Sequence, residues 1–201
     1  MLRQRRRVWE GGFWLIVIKM KVDIIEEKVE LPEDVKFSYE KGMARVEGPK
    51  GSVEKRLLNP KVSIALDNNR IKIFAKKATK REKKIIGSFR SHISNMIEGV
   101  QNGFVYKLKI CSGHFPMSVG VKGDEFIVKN FTGERIPRVL KLKPGVDVKV
   151  EGDIVVVSSV NKELAGQTAA SIEQLTRRPG YDKRIFQDGI YIIEKAGKEI
   201  R

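Results

Sequence analysis

Cysteine, histidine and long apolar runs are what this 201-residue chain has least of. Its single cysteine, Cys111, excludes an internal disulfide framework and fits a reducing compartment. With only two histidines, His92 and His114, the chain falls short of the usual four-ligand zinc site, so neither metal nor cofactor is expected. Cys111-Ser112-Gly113-His114 sets a thiol near an imidazole, yet such close sequence neighbours rarely reach nucleophile–base geometry, and the stretch reads as a loop. The run Phe13-Trp14-Leu15-Ile16-Val17-Ile18 is too short to span a membrane, and no membrane partner is expected. Acidic residues are in deficit too. Lys and Arg number 40 against 25 Asp and Glu, a formal charge of +15. Such an excess bears on partners rather than on fold, and nucleic acid is the commonest partner for it.

What is present describes a soluble globular protein: 41% apolar and 32% charged residues, over a length suited to one large domain or two small ones. Residues 1–21 stand apart. Arg3, Arg5, Arg6 and Arg7 precede the short apolar run as in a signal peptide, but Lys19-Met20-Lys21 follows instead of a small-residue cleavage site. We expect this extension to be disordered, or the true start to lie near Met20. Without residues 1–19, 35 basic and 24 acidic side chains remain, a net +11, so the basic character does not depend on it.

From residue 22 on, short strands are followed by a helix, twice. Lys41-Gly42 and Asn68-Asn69 are two-residue turns between alternating apolar residues, as tight hairpins require. Val62, Ile64 and Leu66 share one strand face, and Ile71 and Ile73 another. Thr79-Lys80-Arg81-Glu82 is a capping box opening a helix with Ile85, Ile86, Phe89, Ile93, Met96, Ile97 and Val100 at helical spacing. That helix ends near Asn102-Gly103. In the second half Gly123-Asp124 takes the place of Lys41-Gly42, and Val128 with Gly133 that of Val46 with Gly51. Val146, Val148 and Val150 stand for Val62, Ile64 and Leu66, and Gly152-Asp153 is the matching turn. Asn161 is placed to cap a second helix bearing Leu164, Ala165, Thr168, Ala169, Ile172 and Leu175. The offset stays within 82 to 84 residues, too long for a solenoid. The expected fold is therefore α+β: two tandem copies of a small domain, residues 22–102 and 103–201, each an antiparallel sheet with one helix packed on a face.

Two basic regions compete as a binding surface. The run from Lys72 to Lys84 is the denser, but a solvated helix face explains it equally well. Gly48-Pro49-Lys50-Gly51-Ser52 lacks phosphate-loop spacing and precedes strands, so it is a turn from which Lys50 could reach a backbone phosphate. The carboxy-terminal stretch is more specific. From Arg177 to Tyr191, four cations (Arg177, Arg178, Lys183, Arg184) alternate with three rings (Tyr181, Phe186, Tyr191). Pro179-Gly180 stops the second helix, leaving Arg177 and Arg178 where the helix dipole favours cations. Arginine suits bidentate phosphate contact, and a ring can stack on an unpaired base. Ile185, Phe186, Ile190, Tyr191 and Ile192 are expected to anchor the stretch as a last strand. It has no counterpart after the first helix, so it is an addition to a duplicated scaffold.

Phe186-Gln187-Asp188-Gly189-Ile190-Tyr191, after Pro179-Gly180-Tyr181-Asp182-Lys183-Arg184, resembles the end of the ribosomal protein L6 family in its archaeal and eukaryotic branch. Val46-Glu47-Gly48-Pro49-Lys50-Gly51 is similar to that family's first-domain turn, and Ser112-Gly113-His114-Phe115-Pro116 to its second-domain entry loop. The resemblance covers about residues 22–197 and leaves out the first 21. It implies a non-catalytic constituent of the large ribosomal subunit, beside the sarcin–ricin loop near the base of the factor-binding stalk. Its implied partners are large-subunit rRNA, neighbouring ribosomal proteins and translation factors, in the cytoplasm. The second domain would make the main rRNA contacts through Arg177, Arg178, Tyr181, Lys183 and Arg184, with His114 from its loop. The alternatives are a non-ribosomal RNA-binding regulator or chaperone, and an RNA-cleaving enzyme, for which no motif-spaced carboxylate or histidine set is present.

Overall fold

A computed structural model describes residues 22–67, 69–113, 115–182 and 184–200. The amino-terminal extension, His114, Lys183 and Asn68, on which sequence expectations fell, lie outside the described residues.

The first copy runs through β1 (Val22–Glu30), β2 (Lys36–Glu40), β3 (Met43–Gly48), β4 (Gly51–Arg56), β5 (Ser63–Asp67), β6 (Arg70–Ala78) and α1 (Lys80–Asn102). Lys41 and Gly42 turn β2 into β3 with φ of 46° and 83°, the paired positive angles that a tight hairpin demands. The strands form two sheets, ordered β1-β6-β5 and β2-β3-β4. β1 and β5 pair antiparallel with β6, whose Ile71, Ile73 and Ala75 are buried. α1 starts at the expected capping box. The Thr79 amide donates to Glu82 Oε2 at 2.8 Å, the Thr79 hydroxyl bonds the same oxygen, and the Arg81 amide reaches Thr79 Oγ1 at 3.3 Å. These bonds hold the buried Glu82 carboxyl well below its ordinary value, at about 2, through the Thr79 hydroxyl first and the backbone amides next. The helix buries Ile86, Phe89, Ile93, Met96, Ile97 and Val100 and stops at Gly103, where φ is +71°.

The second copy repeats this order: β7 (Phe104–Cys111), β8 (Ser118–Lys122), β9 (Glu125–Lys129), β10 (Arg138–Lys141), β11 (Asp147–Glu151), β12 (Ile154–Ser159) and α2 (Lys162–Leu175). Asn161 caps α2, its Oδ1 accepting from the Glu163 amide at 2.9 Å. One sheet is β10-β9-β8; the other is β11-β12-β7, extended beyond β7 by β13 (Gly189–Lys195) and β14 (Lys198–Glu199). The fold is thus an α+β domain in duplicate, each copy's antiparallel strands divided between two sheets. The added element is a strand. β13 pairs with β7 from Gly189↔Cys111 to Lys195↔Tyr106, placing a fully buried Ile190 among Leu108, Phe126, Val128, Phe131, Val155, Val157 and Ile172. Each large apolar side chain so buried contributes roughly 1.5–3 kcal/mol relative to exposure.

Ile64 and Leu66 of β5 lie opposite the buried Ile73 and Ile71 of β6, and Leu66 is 55% exposed. One sequence expectation needs correction. Gly133 is no counterpart of Gly51: Gly51 begins β4, whereas Gly133 closes a 3-10 turn, Phe131–Gly133, set between β9 and β10.

By contacts the described residues divide into two compact units, those from 22 to 46 with those from 54 to 94, and those from 47 to 53 with those from 95 onward. The second unit thus takes in the end of α1 and the turn at Pro49-Lys50. Within it the Lys50 amide donates to the Val100 carbonyl at 3.0 Å, and Gly48 lies so close to Val100 that a Cβ would meet its Cγ2 at 2.8 Å. Gly99 is tighter still, since a Cβ there would collide with the Val160 carbonyl oxygen.

Candidate nucleic-acid interface

The segment between α2 and β13 is built from its own hydrogen bonds. Thr176, buried at the end of α2, donates to the Glu173 carbonyl at 3.2 Å and accepts the Ile190 amide at 2.9 Å, tying helix end to appended strand. Gly180, with φ of +82°, turns the chain away after Pro179. Asp182 then organises the next turn: its Oδ1 accepts the Arg184 amide at 2.9 Å, and its carbonyl accepts those of Ile185 and Phe186 at 3.1 and 2.9 Å. Asp188 closes the loop by accepting the Gly113 amide.

Cations and rings are sorted by this frame. Arg177 is exposed. Arg178 is half-buried, donating to Thr132 Oγ1 at 2.9 Å while its guanidinium stacks 4.0 Å from the centroid of Tyr181. Tyr181 meets Phe186 edge-on at 5.0 Å. Arg184 is 89% exposed and forks onto Asp182 at 2.7 Å, which lowers the Asp182 carboxyl below its usual range. The structure therefore brings Arg178 and Tyr181 together and leaves Arg177 and Arg184 facing solvent. Lys50 serves another place in the same unit, its ammonium bonded to the Asn102 carbonyl at the end of α1. The expectation that Ile185 and Phe186 anchor the stretch is wrong: they are 74% and 50% exposed, because the strand begins only at Gly189.

Sequence reasoning missed Arg138. From β10 its guanidinium holds Glu134 in two bonds of 2.6 and 2.8 Å, donates to the Leu175 carbonyl at 2.7 Å, and lies 4.4 Å from the Phe131 centroid. The Glu134 carboxyl is lowered, first by its bonds to Arg138. The four-residue spacing of Glu134 and Arg138 was the signal available. Arg138 thus satisfies a terminal carbonyl of α2 where the binding segment departs.

Exposed guanidinium groups on a braced loop suit phosphate oxygens, and exposed rings beside them suit unpaired bases. Among the described residues no cluster of histidine, cysteine or carboxylate side chains could hold a metal.

Fold and segment together define a class: a basic, duplicated α+β scaffold extended by a strand and a cation-and-ring loop. Comparison with known proteins gives that class a family. The sequence model of the family described as Ribosomal protein L6 matches residues 28–103 and again 115–189. The large ribosomal subunit protein uL6 of Nanoarchaeum equitans (strain Kin4-M) is 45% identical over 190 residues, covering 90% of this chain and 98% of that protein. The protein of the same name from Methanococcus vannielii is 45% identical over 175 residues, 87% of this chain and 96% of its own length. The chain belongs to the ribosomal protein L6 family, whose members are structural proteins of the ribosome and not enzymes.

Proposed function

We propose that this protein is a non-catalytic constituent of the large ribosomal subunit in the cytoplasm, binding rRNA chiefly through residues 177–188. The observation that carries this reading is the segment itself, an addition to a duplicated fold that holds Arg177 and Arg184 in solvent on a hydrogen-bonded loop. Its work is phosphate neutralisation plus recognition of folded RNA shape. Within the subunit its place is near the base of the factor-binding stalk and the sarcin–ricin loop, with neighbouring ribosomal proteins and translation factors as further partners. Lys183 and His114 belong to the proposed contact set with Arg177, Arg178, Tyr181 and Arg184. Lys50, fixed on the end of α1, is a secondary contact.

Co-sedimentation tests the reading. The protein is expected to travel with large subunits at moderate salt and to be released as salt rises. Recovery with free RNA and not with subunits would favour a regulator or chaperone instead.

A further inference from the structure

Beneath the cation-and-ring loop, the second unit encloses a cleft of about 190 Å³ between the last turns of α2 and the segment that follows. Clefts for drug-sized molecules run to roughly 300–1,000 Å³, so this one suits a single ring system. Tyr181 and Phe186 supply aromatic wall, and Glu173, Gln174 and Arg177 supply polar groups. Among the described residues, none of those three side chains has a hydrogen-bond or ion-pair partner. Of the neighbouring polar side chains, Arg178 is committed to Thr132 and Thr176 to the helix end.

Glu173 decides what the cleft could hold. A carboxylate within a basic segment repels an RNA backbone, and helps binding only where it accepts hydrogen bonds from a base. It is acceptor-only, with two oxygens to fill. Guanine offers two adjacent donors on its pairing edge, N1–H and the 2-amino group. Adenine offers an amino group beside an acceptor. Unstacked bases are bound by proteins in this manner, stacked on a ring or guanidinium and read along the pairing edge. We propose that this cleft receives one unstacked base of the bound RNA, with guanine preferred, Tyr181 and Phe186 forming its wall, Glu173 reading its edge and Arg177 neutralising its phosphate. The proposal rests on the reading of the segment as an RNA-binding element.

The test uses the intact protein and synthetic RNA hairpins, fully paired or carrying a one-nucleotide bulge of guanine, adenine or an abasic linker. The guanine bulge is expected to bind about tenfold tighter than the abasic one, the size of discrimination that a paired base contact gives. Ala170→Leu fills the cleft without changing charge. It should erase the preference for a bulged base and leave affinity for the paired hairpin unchanged. Glu173→Gln keeps the shape and should remove the preference for guanine over adenine, which decides the matter if Ala170→Leu does not fold. Equal, salt-dependent binding of the guanine and abasic bulges would overturn the cleft and leave the RNA-binding reading standing. Binding to no hairpin and to no large-subunit rRNA would overturn both.

Discussion

Among the described basic side chains of the carboxy-terminal loop, Arg177 and Arg184 face solvent, Arg184 with its guanidinium forked onto the exposed Asp182, while Arg178 divides its guanidinium between Thr132 and Tyr181. Their substitutions should therefore separate. Replacing Arg177 and Arg184 together by alanine is expected to weaken rRNA binding while changing folding stability by less than about 0.5 kcal/mol, since exposed sites cost little. Arg178→Ala should lower stability by about 1 kcal/mol through the lost hydrogen bond and ring contact, visible in thermal melts. Arg138→Ala should cost about 2 kcal/mol, because a charged hydrogen-bonding hub is lost and Glu134 stays behind unpaired. It should also weaken RNA binding without touching RNA, by loosening the origin of the loop. Normal melting with weakened binding in that variant would instead make Arg138 a contact residue.

Elements whose rules are local could be read from the sequence. The Lys41-Gly42 turn, the capping box of α1, the Asn161 cap and the stop at Gly103 depend on residues within a few positions of one another, and each is in place. The capping box makes a pH prediction. Glu82 has its folded value lowered from the ordinary 4.5 to about 2, so its contribution is fully present above about pH 4.5 and lost as pH falls toward 2. Denaturation followed between pH 5 and 2.5 should show Glu82→Gln losing less stability over that window than the unaltered protein. Parallel losses would remove the cap from the account of acid sensitivity. What could not be read depends on distant partners. The apolar residues from Ile185 to Ile192 point to a last strand, but nothing local says that β13 lies against β7 or that the pairing starts only at Gly189. Ile185 and Phe186 precede that pairing and so stay exposed instead of anchoring the stretch. Gly99, in the last turn of α1, teaches the same lesson: glycine within a helix is locally unfavourable, and the approach of Val160 explains it. Gly99→Ala should improve helix propensity yet destabilise the protein by about 1–3 kcal/mol through overpacking, measurable by urea titration.

At the scale of the molecule, duplication provides the scaffold and the end of the chain provides the difference between the copies. β1 and β7 open equivalent sheets, but only β7 carries β13 and the loop before it. The charge of +15 acts over the whole surface, so affinity for rRNA should fall steeply with salt. Neutralising about five phosphates gives a slope of log K against log salt of magnitude roughly 3 to 5. That slope measures how many phosphates are met, not where. The most direct measurement of where is protein–RNA crosslinking within purified ribosomes, read residue by residue. Crosslinks concentrated at residues 177–184 are expected, on rRNA of the large subunit. Crosslinks confined to the basic run at residues 76–84 of the first unit, with none in the carboxy-terminal loop, would contradict the assignment.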